Sequence, residues 1–333
     1  MRKVWPAHWI RALVSVLALL PLAAGCGANA TKPARLPGGL SLESAAAGPV
    51  NGRPISLTLV RPGAMGAIYV PPGGHIYSLT YWSRGQRAQA YLDVPHGKGP
   101  FPLFVDLHGG YVFAEPGHSD LVYWNQEAAL VNAQSGAVAF LPNYVGYGPS
   151  RGRVGDAYQD FLDVRHGLAA LNYVAGLHLA PNATYVLGFS LGGVVGSLLA
   201  GEDHAVRAAA FVSPWAGAER SYKWYETNLG HLDESERLSL DTLVQAEGTN
   251  TESRWYRRNS YGCTDLHIPL LLIGGTKDDV VPAALLSATA IDLRQCGIAV
   301  ELRFFSGGHA VYTAGVQALL QRWFLERGIS LQL

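Results

Sequence analysis

Gly188-Phe189-Ser190-Leu191-Gly192, followed by Gly193, stands between the apolar run Thr184–Leu187 and a helical pattern. A serine at such a strand-to-helix junction is forced into a sharp turn, and glycines flank it because side chains there would clash. The turn lifts the hydroxyl above the sheet and sets it at a helix N-terminus, whose free amides and dipole favour negative charge. Ser190 is therefore the candidate nucleophile. The same glycines could cradle a phosphate, but no lysine follows them and no G-x-G-x-x-G is present.

A serine hydroxyl is a poor nucleophile without a base. Two later segments can supply one. Leu270–Ile273 runs into Gly274-Gly275-Thr276-Lys277-Asp278-Asp279-Val280-Val281-Pro282, and Val300–Phe305 runs into Ser306-Gly307-Gly308-His309. Parallel strands gather their C-terminal ends on one sheet edge, so Ser190, an aspartate and His309 would meet there. His309 would take the serine proton and return it to the leaving group. The aspartate, Asp278 or Asp279, would hold the ring in the productive tautomer.

The elements needed to position these groups are legible. Strand candidates are His75–Trp82, Ala88–Val94, Leu103–Leu107, Ala137–Leu141, Thr184–Leu187, Ala208–Val212, Leu270–Ile273 and Val300–Phe305. Ser83-Arg84-Gly85-Gln86 joins the first two as a hairpin, so the sheet opens antiparallel. From Leu103 onward the runs are nearly all apolar, as strands covered on both faces should be. Helical patterns lie between them at Asp156–Val174, Gly192–Ala200, Ala283–Gln295 and Val311–Glu326. The expected fold is α/β: a mostly parallel eight-stranded sheet with helices on both faces. Residues 216–264 break the rhythm with a polar, aromatic-dotted insertion, the usual form of a lid or substrate-binding excursion.

Composition narrows the partners. Of 333 residues, 49% are hydrophobic and 15% charged, which suits a large buried core. Lys+Arg and Asp+Glu balance at 25 each, so nothing favours nucleic acid. Histidines and cysteines do not fall at zinc-ligand spacings, and no metal or cofactor is expected.

Arg2, Lys3 and Arg11 precede the uncharged apolar run Ala12–Leu22, which has the size of a signal-peptide core. It ends in Leu22-Ala23-Ala24-Gly25-Cys26, which resembles a bacterial lipoprotein signal with Cys26 as the lipidated residue. Residues 1–26 are thus expected to direct export, and membrane contact to come only through an N-terminal lipid. Residues 27–55 form a Gly-, Ala-, Pro- and Ser-rich tether, and 56–333 the folded domain. With Cys26 lipidated, Cys263 and Cys296 remain of the three cysteines. Each precedes a strand candidate at the same sheet edge, so they are expected to pair in an oxidising compartment.

From about His75 onward the sequence resembles the α/β-hydrolases, in particular the stand-alone catalytic domains of the prolyl oligopeptidase-like and dienelactone hydrolase-like groups. The family's G-x-x-D-x-x-V-P stretch matches Gly275, Asp278, Val281 and Pro282, which assigns the acid to Asp278 and leaves Asp279 as the fallback. Leu107-His108-Gly109-Gly110-Tyr111 resembles the family's H-G-G loop. This implies an oxyanion hole from the Gly110 and Leu191 amides, His108 bracing the loop, and Tyr111 lining the pocket. Trp224 and Trp255 of the insertion are further pocket candidates. Where peptidase relatives carry an arginine, this chain has Val145. The resemblance implies cleavage of a small-molecule ester through an acyl-serine, with a short-peptide substrate of prolyl oligopeptidase type as the alternative. A third possibility is a surface-anchored binding protein that kept the fold and lost activity.

Overall fold

A computed structural model of the protein describes residues 35–60, 75–115, 117–119, 136–262 and 265–331. The expected export signal, Cys26, the first part of the tether and Cys263 lie outside these residues.

The strands are β1 (Ser41–Leu42), β2 (Pro54–Leu59), β3 (His75–Ser83), β4 (Gln86–Val94), β5 (Phe101–Leu107), β6 (Val138–Asn143), β7 (Val174–Ala175), β8 (Leu179–Phe189), β9 (Val206–Val212), β10 (Leu270–Gly275) and β11 (Val300–Phe305). The main sheet has nine strands in the order β11-β10-β9-β8-β5-β6-β4-β3-β2. From β6 to β11 every pairing is parallel, whereas β2, β3 and β4 join antiparallel at the other end. Eight strands were expected. The ninth is β2, which pairs outside β3 with a register shift between Pro54 and Ser56.

Helices described within this frame are α1 (Ala157–Leu171), α2 (Leu191–Glu202), α3 (Ala218–Thr227), α4 (Glu234–Glu247), α5 (Arg254–Arg258), α6 (Ala283–Gln295) and α7 (Ala314–Leu325). A capping box starts α1: the Asp156 carboxylate accepts from the Gln159 amide, and the Gln159 side chain accepts from the Asp156 amide, both at 3.0 Å. Alternate residues of each central strand feed opposite layers, as the two-residue period of a strand requires. Leu270 and Leu272 of β10 join the layer under α1, α2 and α6, whereas Leu271 and Ile273 face Trp323 and Phe324 of α7.

The segment expected as a tether is partly built into this body. Leu40 is 1% exposed, and β1 pairs antiparallel with β7 just beyond the end of α1. Burial of Leu40 together with that pairing fixes the segment and ends α1 at Leu171, three residues before the expected Val174. Isolated leucines in a Gly- and Ala-rich stretch carry no period from which this could be foreseen.

Candidate active site

Ser190 follows β8 with φ 51° and ψ −113°, the strained turn that the glycine spacing required. Its backbone is fixed on both sides: the Ser190 amide donates to the Val212 carbonyl at 3.0 Å. Its carbonyl accepts from the Gly193 and Trp215 amides at 2.9 and 3.0 Å. A Cβ at Gly192 would land on the Leu107 carbonyl and come within 3.0 Å of that of His108, so only glycine lets the turn pack against the end of β5.

The loops after β10 and β11 are tied to each other. Thr276 donates to the Phe305 carbonyl at 2.9 Å and Lys277 to that of Gly307 at 2.8 Å. A Cβ at Gly275 would strike the Gly308 carbonyl, so that position also requires glycine. This pairing brings Asp278 and His309 together. His309 Nδ1 lies 3.0 Å from both Asp278 carboxylate oxygens, and Nε2 lies 2.9 Å from Ser190 Oγ. Asp278 Oδ1 accepts further bonds from the Val280 and Val281 amides at 2.9 and 2.8 Å. Burial pushes the Asp278 carboxyl up. The His309 hydrogen bond, the Val281 amide, the His309 charge and the Val280 amide together outweigh it and hold the pKa below its usual value. Asp279, the fallback, is exposed, and its carbonyl accepts from Ser235 Oγ at 2.8 Å.

The loop after β5 is braced from beneath. His108 is 3% exposed and stacks on Tyr144 with ring centroids 3.9 Å apart. Its Nδ1–H donates to the Gly109 carbonyl at 2.6 Å, while Nε2 accepts from the Tyr144 amide at 3.3 Å. Both nitrogens are used only by the neutral ring, and burial pushes its pKa down to about 4 against the opposing effect of the Gly109 bond. Tyr147 supports the same loop, its hydroxyl accepting from the Tyr111 amide at 2.8 Å. Gly110 packs against the Tyr147 and Leu191 side chains: a Cβ there would lie 2.6 Å from the Tyr147 hydroxyl and 3.0 Å from Leu191 Cδ2. Leu191 is the first residue of α2, where an amide has no intrahelical partner.

A cavity of about 340 Å³ opens beside Ser190. Gly110, Tyr111, Phe113 and Glu115 form one wall, Trp215 and Val281 another, and α3 and α4 contribute Ser221, Tyr225, Ser239 and Leu243. Tyr111 is thus at the cavity as expected, but Trp224 and Trp255 are not among its lining residues. Trp224 packs edge-on to Tyr225, and Trp255 stacks on Phe113 from behind at 5.5 Å. Trp215, Tyr225 and Val281 are wall residues that sequence reasoning did not assign to the pocket, Val281 entering only through the V-P spacing.

Cys296 is disulfide-bonded, and its expected partner Cys263 lies outside the described residues. Among the described residues no cluster of His, Cys, Asp and Glu could hold a metal ion.

Solved structures share this architecture. An acetyl xylan esterase from Paenibacillus sp. R4 superposes with a TM-score of 0.59 at 19% identity, over 81% of this chain and 87% of its own. An acylaminoacyl peptidase of Pyrococcus horikoshii gives 0.59 at 19% identity, over 76% of this chain but 41% of its own. An esterase of Pyrococcus furiosus gives 0.53 at 14% identity, over 84% and 97% of the two chains. This is the α/β-hydrolase fold. In that fold the strand-end edge carrying Ser190, Asp278 and His309 is the edge where open α/β sheets hold their ligands. No protein-family profile and no curated protein matches the sequence.

Proposed function

We propose that the protein is a serine hydrolase that cleaves a carboxylic ester through an acyl-serine intermediate. The observation that carries this reading is the continuous hydrogen-bonded series from Ser190 Oγ through His309 to Asp278, with distances of 2.9 and 3.0 Å. Ser190 gives its proton to His309 Nε2 as Oγ adds to the ester carbonyl. Asp278, kept ionised, stabilises the imidazolium and fixes its tautomer. The Gly110 and Leu191 amides receive the oxyanion, each worth on the order of 3 kcal/mol. Collapse of the tetrahedral intermediate passes the proton from His309 to the departing alkoxide. Water then repeats the sequence on the acyl-serine, with His309 as base, and releases the acid.

Peptide cleavage is the second reading, supported by the likeness to the peptidase; Val145 in place of that family's arginine speaks against it. The chain aligns with 41% of the peptidase's length. The basic, then apolar, N-terminal segment supports export, with Cys26 as the lipid-bearing residue and the N-terminal lipid as the only membrane anchor. The disulfide at Cys296 is consistent with an oxidising compartment.

The test is release of p-nitrophenol from acetate, butyrate and octanoate esters beside a panel of aminoacyl-p-nitroanilides, with wild type and Ser190→Ala run together. Ester turnover that falls by about 10⁶ in kcat in the variant is the expected result. Turnover confined to the anilides would move the assignment to a peptidase. No Ser190-dependent turnover, and no labelling of Ser190 by a fluorophosphonate, would leave a binding protein on a hydrolase fold.

A further inference from the structure

The cavity beside Ser190 is mostly apolar, yet α3 and α4 place four hydroxyls in its wall: Ser221, Tyr225, Ser239 and Thr242. Two of them are satisfied by the protein. Ser239 Oγ donates to the Ser235 carbonyl at 3.0 Å, and Thr242 Oγ1 to the Leu238 carbonyl at 2.7 Å. Ser221 differs. It is 1% exposed, and its Oγ has no hydrogen-bond partner among the described residues. A helical serine ordinarily escapes this by donating to the carbonyl four residues back. Ser221 Oγ makes no such bond to the Gly217 carbonyl, which accepts the serine's backbone amide at 3.1 Å.

A buried hydroxyl without a partner is costly, and each such group in a native protein calls for an explanation. Ser221 sits one turn before Tyr225 on α3 and both line the cavity; its Oγ is turned inward, and a step between staggered χ1 rotamers is what would present it to a group in the cavity. Building on the hydrolase reading, we infer that Ser221 is a specificity-determining residue whose hydroxyl bonds an uncharged oxygen on the substrate group filling this cavity. The site then selects esters bearing a hydroxyl or carbonyl oxygen in that group over their plain hydrocarbon counterparts. The oxygen belongs either to the acyl chain or to the alcohol, and the same chemistry serves both.

The experiment compares kcat/KM for ethyl butanoate, ethyl 3-hydroxybutanoate, ethyl 4-hydroxybutanoate and 2-hydroxyethyl butanoate, followed by acid release, in wild type, Ser221→Ala and Ser221→Thr. In wild type at least one hydroxylated ester should exceed its parent by roughly three- to tenfold, the worth of one neutral hydrogen bond. Which ester it is tells acyl from alcohol. In Ser221→Ala that ratio should collapse towards one while Tm does not fall, because the hydroxyl removed was bonded to nothing. Ser221→Thr, which keeps the hydroxyl, should restore the ratio. Equal ratios in wild type and Ser221→Ala, or a variant that loses every ester alike together with a lower Tm, would overturn the inference while leaving the hydrolase reading intact. Absence of Ser190-dependent turnover on ethyl butanoate itself would remove both.

Discussion

Ser190, Asp278 and His309 are placed by backbone: strand register, two loop-to-loop hydrogen bonds and glycines that admit no Cβ. The cavity wall on α3 and α4 is placed differently. Its residues belong to a separate apolar cluster of Tyr222, Tyr225, Leu240, Leu243 and Tyr256, which meets the main body at Val281 and Leu285. A few polar ties pin it down, among them Tyr158 N to Asn259 Oδ1 at 2.8 Å and the Arg258–Asp156 ion pair. Chemistry and selectivity are therefore built by different means. Substitutions at the strand ends should change rate or folding, whereas substitutions in the insertion should change which substrate is used.

The largest contrast is expected between Asp278→Asn and Trp224→Ala. The first turns the His309 tautomer and should lower kcat by about 10⁴ with little change in KM. The second lies one layer behind the cavity and should alter kcat by less than about tenfold, its effect appearing in KM across an ester panel. Similar losses of kcat in both variants would erase the distinction.

Acid should weaken the strand-end region first. His108 is neutral in the fold, with its pKa pushed down to about 4, against about 6.5 in the unfolded chain. Between those values the unfolded state binds more protons, so stability falls as pH falls and levels off below about 4. The loss from this group is on the order of 3 kcal/mol across the window. Tm measured from pH 7 to 4 should show it, and His108→Gln, with nothing to titrate, should follow a flatter curve. A parallel curve would assign the acid sensitivity elsewhere. Asp278 adds a second window: its pKa is held low in the fold, so its contribution persists above about pH 4 and is lost only as pH drops further.

Two glycines sharpen the same comparison. Gly192→Ala would set a Cβ on the Leu107 carbonyl, a clash with backbone that cannot swing aside, and should cost about 1–3 kcal/mol or more. At Gly230 in the insertion a Cβ meets nothing within 4 Å, and Gly230→Ala should stay within about 0.5 kcal/mol of wild type. Urea midpoints for the pair test this directly, and equal shifts would mean that the strand-end turn relaxes around a Cβ.

The same division explains what the sequence disclosed. Strand ends announce themselves because glycine spacing and apolar runs are local, and the parallel order then brings distant loops to one edge. Choosing between Asp278 and Asp279 took the family's V-P spacing; in the structure, the Val280 and Val281 amides that follow orient the Asp278 carboxylate. The insertion was harder. Its aromatic content drew attention to Trp224, but successive helical residues point about 100° apart. Tyr225 therefore faces the cavity and Trp224 does not. Trp215 and Val281 come from two other loops, and no periodicity links them to α3.

Glu115 is the smallest expected effect and the one that joins the two regions, because it follows the β5 loop yet shares the cavity with the insertion. It is the one carboxylate among the cavity's described lining residues, it is exposed, and it forms no ion pair among the described residues. A negative charge at the mouth repels anionic esters, and an exposed one does so weakly and in a salt-dependent way. Wild type should therefore prefer ethyl butanoate to monoethyl succinate. Glu115→Gln should narrow that ratio by roughly two- to fivefold at low ionic strength and by almost nothing near 1 M salt. Because the charge acts on encounter rather than on chemistry, the change should fall in kcat/KM and leave kcat on the neutral ester where it was. A ratio that narrows equally at high salt would mean that the Glu115 side chain contacts the substrate directly, which would make selectivity at this mouth a property of the strand-end loop as much as of the insertion.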